Sequence, residues 1–122
     1  MIEKTNLLYV DDEVINLKLF EYNFKKKYLV TTALSAKAGM EILNNNSEIK
    51  IVISDMKMPE INGLEFIKIA KDKFPSINFF ILTGFDITDE IFEALDKNLI
   101  CKYFQKPFNY NEIDSSIDNL VN

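Results

Sequence analysis

The chain has no histidine, no arginine and no tryptophan, and only one cysteine, three glycines and three prolines in 122 residues. Each shortage excludes something. Without histidine there is no His-ligated zinc site, no Ser-His or Cys-His nucleophile pair, and no phosphohistidine carried by the chain itself. Without arginine, and with a net charge of −5, the chain is poorly equipped to read duplex nucleic acid, where bidentate arginine and a positive field do most of the work. The lone Cys101 rules out an intrachain disulfide and points to a reducing compartment. No apolar run exceeds strand length, so no segment is expected to span a membrane. The start, Met1 to Thr5, lacks the apolar stretch of a signal peptide. A cytoplasmic chain is expected, with proteins or small anions as partners rather than nucleic acid or membrane.

What is present is alternation. Apolar runs of strand length, at Leu7–Val10, Tyr28–Thr32, Ile51–Ser54, Phe79–Leu82 and Ile100–Gln105, are separated by segments with helical periodicity. The first helix is predicted from about Glu13 to Lys27, with Val14, Leu17, Phe20 and Phe24 on one face. Ser35 is placed to cap a second helix, which stops at Asn44–Asn46. Asn62, with Glu65 three residues on, is placed to cap a third, with Leu64, Ile67, Ala70 and Phe74 inward. Ile87, Ile91 and Leu95 stripe a fourth. Asn109 and Glu112 open a fifth, carrying Ile113, Ile117 and Leu120. Five strands alternating with five helices predict an α/β fold, a doubly wound parallel sheet with helices on both faces. The first, third and fourth strands are almost wholly apolar, as central parallel strands are. The second and fifth carry polar residues and read as edges. The order 2-1-3-4-5 follows, with every crossover right-handed.

In such a sheet, ligands sit beyond the carboxyl ends of the strands, where the winding reverses. Asp11 and Asp12 follow the first strand, Asp55 ends the third, Thr83 ends the fourth and Lys106 ends the fifth. Two unit charges about 4 Å apart interact by roughly 4 kcal/mol at an effective dielectric near 20, so three carboxylates in one crevice need positive charge. A hard divalent cation with oxygen ligands, Mg²⁺ or Mn²⁺, suits them. Lys106 adds a fixed charge and Thr83 a hydroxyl donor. Cation, lysine and hydroxyl around one carboxylate form a site for phosphoryl transfer to it. Each piece alone has a plainer reading, as acids at a helix start, a turn or a loop. Their recurrence at consecutive strand ends is what carries the chemistry.

The whole chain resembles a response-regulator receiver domain of bacterial two-component signalling, of the CheY-like kind. The resemblance rests on Asp11-Asp12, on Asp55 within Asp55-Met56-Lys57-Met58-Pro59, on Gly63, on Thr83 before a small residue, on Tyr103 and on Lys106-Pro107-Phe108. It implies a flavodoxin-like fold, a single receiver domain over residues 1–122 without a visible output domain, and a phosphoprotein that carries an aspartyl phosphate on Asp55. It further implies that Asp12, Asp55 and the Lys57 carbonyl ligate the cation, with Asp11 acting through water. Lys106 and Thr83 would contact the phosphoryl group, Tyr103 would act as a switch with Thr83, and the Lys106–Pro107 bond would be cis. The donor would be a sensor histidine kinase or a histidine phosphotransfer protein, docking on Ile15, Leu19 and Phe108. The signal would pass to a downstream protein target. The implied chain is not a general enzyme, although it promotes its own phosphorylation and dephosphorylation, and Lys57 and Phe85 would set the lifetime of the phosphorylated state. Asn98-Leu99 stands where Gly-Ala is common, and the last helix has no arginine for inter-subunit salt bridges, so a monomer or weak dimer is expected.

Two other readings compete with this one. A Mg²⁺-dependent phosphohydrolase with an aspartyl nucleophile, of the haloacid-dehalogenase type, would want Asp-x-Asp-x-Thr after the first strand. Asp11-Asp12-Glu13-Val14 stands there instead. A receiver-like binding module that is never phosphorylated would be expected to lack Asp55, Thr83 or Lys106, and all are present.

Overall fold

The structure is a computed structural model and describes residues 4–84 and 87–121. The chain runs β1 (Thr5–Val10), α1 (Val14–Phe24), β2 (Tyr28–Ala33), α2 (Ala36–Asn45), β3 (Ile49–Asp55), α3 (Gly63–Lys73), β4 (Asn78–Thr83), α4 (Asp89–Asp96), β5 (Lys102–Gln105) and α5 (Tyr110–Val121). The sheet is parallel, in the order β2-β1-β3-β4-β5, as the polarity of the strands predicts.

Strand periodicity sorts the core into two layers. Leu7 and Tyr9, Ile51 and Ile53, and Phe80, Leu82 and Phe104 face α1 and α5, where they meet Leu17, Phe20, Phe24, Ile113 and Ile117. Leu8, Val10, Val52, Phe79 and Ile81 face the other way, toward Leu43 of α2, Phe66 and Ile67 of α3, and Ile91 and Ala94 of α4. Each layer is apolar and closed, as a parallel sheet covered on both faces requires.

The caps at α2 and α3 form as expected. The Ser35 side chain accepts from the Ala38 N–H, and Asn62 and Glu65 make a reciprocal capping box. Two expected core positions are corrected. Val14 is exposed because it is the first residue of α1 and lies on the rim of the arc defined by Leu17, Phe20 and Phe24. Leu120, in the last turn of α5, is also exposed. β5 begins at Lys102 rather than Ile100, although Ile100 is buried.

The Asn98-Leu99 turn has a clear physical basis. Asn98 has φ 60°, in the left-handed region that asparagine tolerates. Its N–H donates to Leu95 O, and the Leu99 N–H donates to Ala94 O, which closes α4 with a Schellman motif. Asparagine thus does here what glycine commonly does. Asn98→Val is expected to cost roughly 1–2 kcal/mol in urea unfolding, the left-handed penalty of a side chain branched at Cβ. Asn98→Gly should change stability by less than about 1 kcal/mol. Equal losses in both would mean that the asparagine side chain, not the backbone, holds the turn.

Candidate functional site at the carboxyl edge of the sheet

The register builds the site. Val10 of β1 lies beside Ser54 of β3, so the next residues along, Asp11 and Asp55, leave the sheet side by side. Both continue rows that face α1 and α5: Leu7-Tyr9-Asp11 and Ile51-Ile53-Asp55. Lys106 continues the row of Phe104 on the same face. Thr83 falls in the opposite row, after Phe79 and Ile81, on the face where Tyr103 also packs. Tyr103 lies beside Ile81, and Gln105 beside Thr83.

Carboxylate oxygens of Asp11, Asp12 and Asp55 lie within 4.8 Å of one another. Asp11 is fully buried and Asp55 is 5% exposed, whereas Asp12 opens to solvent. The Lys106 ammonium reaches between two of them, 3.1 Å from Asp55 Oδ1 and 3.3 Å from Asp11 Oδ2. Three carboxylates against one ammonium leave two negative charges, the charge of one divalent cation.

The titration behaviour reflects this imbalance. Burial, and then the neighbouring Asp11 charge, raise the Asp55 pKa above the usual carboxylate range; Lys106 opposes them without prevailing. At Lys106 burial acts to lower the pKa, but hydrogen bonds and charges from Asp55 and Asp11 outweigh it and the ammonium is held. The lysine stays charged because it serves two carboxylates. For the same reason it cannot neutralise Asp55 alone.

The loop after β3 comes close beneath the site. Pro59 O accepts from the Ile61 N–H around Glu60, whose φ is 71°. The chain then returns so that the Gly63 N–H donates to Met56 O at 2.8 Å. A Cβ at position 63 would stand 2.3 Å from the backbone oxygen of Asp55, so only glycine lets α3 begin there. The Lys106–Pro107 bond is cis, as the resemblance implies.

A model of the response regulator receiver domain matches residues 7–118. The chain belongs to that family. It is 34% identical over 118 residues to the response regulator SaeR of Staphylococcus aureus strain USA300, which covers 96% of this chain and 50% of that protein. The chain thus spans about half the length of the curated relatives it matches. Among solved structures, a response regulator receiver domain protein from Clostridium thermocellum superposes with a TM-score of 0.89 at 28% identity, over 96% of this chain and 94% of that one. The chemotaxis protein CheY4 of Vibrio cholerae superposes with a TM-score of 0.87 at 20% identity, over 98% and 100% of the two chains, and shows the shared fold.

The receiver brings Asp11, Asp12, Asp55 and Lys106 together, with Thr83 buried at the adjoining strand end. Lys57 is exposed on the loop just after β3. Phe85, expected beside Lys57 on the path of attacking water, lies outside the described residues. Ile15 and Leu19 stand out from α1, 61% and 50% exposed. Phe108 is largely a packing residue. Its ring lies edge-on to Phe20 at 5.6 Å and 5.7 Å from Phe24, because the turn at Pro107 folds it back onto α1. Its remaining surface joins Leu19, Lys106 and Pro107 around a cleft of about 650 Å³.

The sequence reading did not single out Tyr9 or Asn16, both of which hold Asp11. The Tyr9 hydroxyl donates to Asp11 Oδ2 at 2.6 Å, and Asn16 Nδ2 donates to the same oxygen at 3.2 Å. Burial, followed by this hydrogen bond, keeps the Tyr9 phenol protonated far above its ordinary range. The available signal was a hydroxyl inside the otherwise apolar run Leu7-Leu8-Tyr9-Val10, two residues before Asp11 and therefore on its face.

Proposed function

We propose that this receiver accepts a phosphoryl group on Asp55 from a histidine of a partner kinase or phosphotransfer protein and passes the signal to a protein target. The observation that carries this reading is the shared lysine: Lys106 lies 3.1 Å from Asp55 Oδ1, where it can also meet the oxygens of an incoming phosphoryl group. Asp12 and Asp55, with the Lys57 carbonyl, would hold a divalent cation, and Asp11 would support it indirectly. Such a cation, Mg²⁺ or Mn²⁺, supplies charge neutralisation for phosphoryl oxygens. The charge balance of the carboxylates fits that role.

In the transfer, an Asp55 oxygen attacks phosphorus as the phosphorus–nitrogen bond of the donor imidazole breaks. The imidazole nitrogen keeps the bonding electron pair, and an acyl phosphate forms on Asp55. Lys106 follows the phosphoryl group and Thr83 donates to it. Gly84 leaves space, since among the described residues a Cβ there would come no closer than 3.7 Å to the Lys106 side chain. Thr83 shares the opposite sheet face with Tyr103, which is half-buried against the layer containing Ile91 and Ala94. A Thr83 drawn toward Asp55 changes packing at the edge strand β5, whose Tyr103 packs on the α4 layer and whose Phe104 packs on the α5 layer, so output leaves through α4, β5 and α5. Ile15, Leu19 and the exposed part of Phe108 are the surface offered to the donor. The receiver is a signal acceptor, not a turnover enzyme.

Four measurements test this. Intact mass after incubation with acetyl phosphate and Mg²⁺ should show one added phosphoryl group, and none when the cation is chelated. Heteronuclear NMR with beryllofluoride should show shifts reaching Thr83, α4 and Tyr103; shifts confined to the surroundings of Asp55 would reject the output path. With Ile15 and Leu19 replaced by Ser, transfer from a kinase should slow while acetyl phosphate labelling holds, and equal slowing of both would reject the docking role. Steady release of phosphate from many organic phosphates would favour a hydrolase.

A further inference from the structure

Asp11 is unusually well supplied with donors. Oδ2 accepts from the Tyr9 hydroxyl at 2.6 Å, from Asn16 Nδ2 at 3.2 Å and from Lys106 Nζ at 3.3 Å. Oδ1 accepts from the Glu13 N–H at 3.0 Å and more distantly from Asn16, at 3.4 Å. A carboxylate offers about four lone-pair sites, so these donors leave Asp11 little capacity to bind a cation directly. The Tyr9 bond is the shortest of them and the only one between fully buried partners. Its ring is also fixed, stacked on Phe20 at 4.2 Å, with Phe20 stacked on Phe24 at 4.1 Å. The hydroxyl is thus presented to Asp11 by a rigid aromatic column inside the α1 layer.

From this we infer that Tyr9 is a positioning residue of the cation site, setting cation affinity by holding Asp11 and so leaving Lys106 to be shared with Asp55. The inference rests on the cation reading above and deepens it. If the Tyr9 donor is removed, Oδ2 keeps only Asn16 and Lys106. The ammonium is then drawn toward Asp11 and away from Asp55, and the Asp11 carboxylate is free to turn from the direction in which it supports the ion. Groups that orient metal-site carboxylates commonly matter by about 10-fold or more in affinity. Tyr9→Phe removes one oxygen and keeps the stack on Phe20.

Mn²⁺ alone is the probe, with free ion counted by electron paramagnetic resonance in the absence of any phosphodonor. Tyr9→Phe should bind Mn²⁺ about 10-fold more weakly than the parent chain. Tyr28→Phe is the control. Its hydroxyl also donates to a carboxylate, that of Asp114 on α5, at the opposite end of the sheet, so Mn²⁺ affinity should be unchanged. In the parent, a slowly exchanging Tyr9 hydroxyl proton should appear far downfield by NMR, shift when Mg²⁺ is added, and be absent from Tyr9→Phe. Equal or tighter Mn²⁺ binding by Tyr9→Phe overturns the positioning role and leaves the cation site standing. Equal weakening in both variants overturns it too, since the loss would then follow stability. If the parent binds no Mn²⁺ saturably, the cation site itself fails and the role of Tyr9 falls with it.

Discussion

Asp55→Asn is expected to abolish labelling by acetyl phosphate, to below about one hundredth of the parent level, and at the same time to stabilise the metal-free fold. An amide oxygen is too weak a nucleophile to form the acyl phosphate. The stability gain has a separate origin. The pKa of Asp55 is raised in the folded chain by burial and by the Asp11 charge. A carboxylate whose folded pKa lies above its unfolded value binds more protons when folded, so stability falls as pH rises between the two values and stays reduced above them. The parent should therefore lose stability as pH rises through that window, and the Asn variant should lack this component. Each kcal/mol gained at neutral pH would appear as about 4 °C in the melting point. Mg²⁺ should narrow the difference by stabilising the parent more. Labelling of the variant at parent stoichiometry would remove Asp55 as acceptor. Unchanged melting with lost labelling would show that Lys106 offsets the repulsion more fully than the burial of Asp55 suggests.

The second large effect is expected at Gly63. Its φ is not in the left-handed region; what it supplies is space. An added Cβ would meet Asp55 O at 2.3 Å and Ile81 Cδ1 at 2.9 Å. The side-chain carbon of Ile81 can give way, but the Asp55 carbonyl belongs to the backbone of β3 itself, next to the proposed acceptor carboxylate. Gly63→Ala is therefore expected to cost about 3 kcal/mol, the upper end for overpacking a tight site, and to slow acetyl phosphate labelling, since relief requires moving Asp55 or the start of α3. Gly39→Ala is the matched control. Its Cβ would approach the Phe66 ring and Val10 Cγ2, both at 3.2 Å, and side chains can yield there. Urea unfolding and labelling rates on both variants check this. A Gly63→Ala chain as stable as Gly39→Ala, with parent labelling, would mean that the β3–α3 loop shifts at little cost.

Much of the fold was legible because polarity and periodicity agree. The apolar β1, β3 and β4 had to be central, and the polar residues of β2 and β5 marked the edges. The placement of Asp11, Asp12, Asp55, Thr83 and Lys106 at one edge was legible because each stands at or just after the end of a strand. Which face each one uses was not. That depends on register, and the β1–β3 pairing shifts between Asn6 and Leu7, an irregularity with no sequence mark of its own. The division between the Asp11, Asp55 and Lys106 face and the Thr83 and Tyr103 face emerges only in three dimensions. Phe108 could not be sorted from its neighbours in the chain, because whether this aromatic points outward or folds back depends on Phe20 and Phe24, which its ring meets across the gap. Val14 shows the same limit at a helix end, where one position on the rim of a stripe decides between core and solvent.

The scatter of the site along the chain has a consequence for its biosynthesis. Asp11 emerges early and Asp55 near the middle, whereas Lys106 follows the last strand of the sheet. A nascent chain with four strands folded would display the acidic crevice without its ammonium. Chains grow at about 5–20 residues per second, so the interval between Asp55 and Lys106 lasts seconds, long enough for the earlier strands to collapse. During that interval the ribosome-bound polypeptide would carry the three carboxylates without the lysine that offsets them. The balance of charge at the site would then arrive in one step, when β5 docks against β4, and if Asp55 is the acceptor proposed above, partly made chains would not compete with finished ones for the donor.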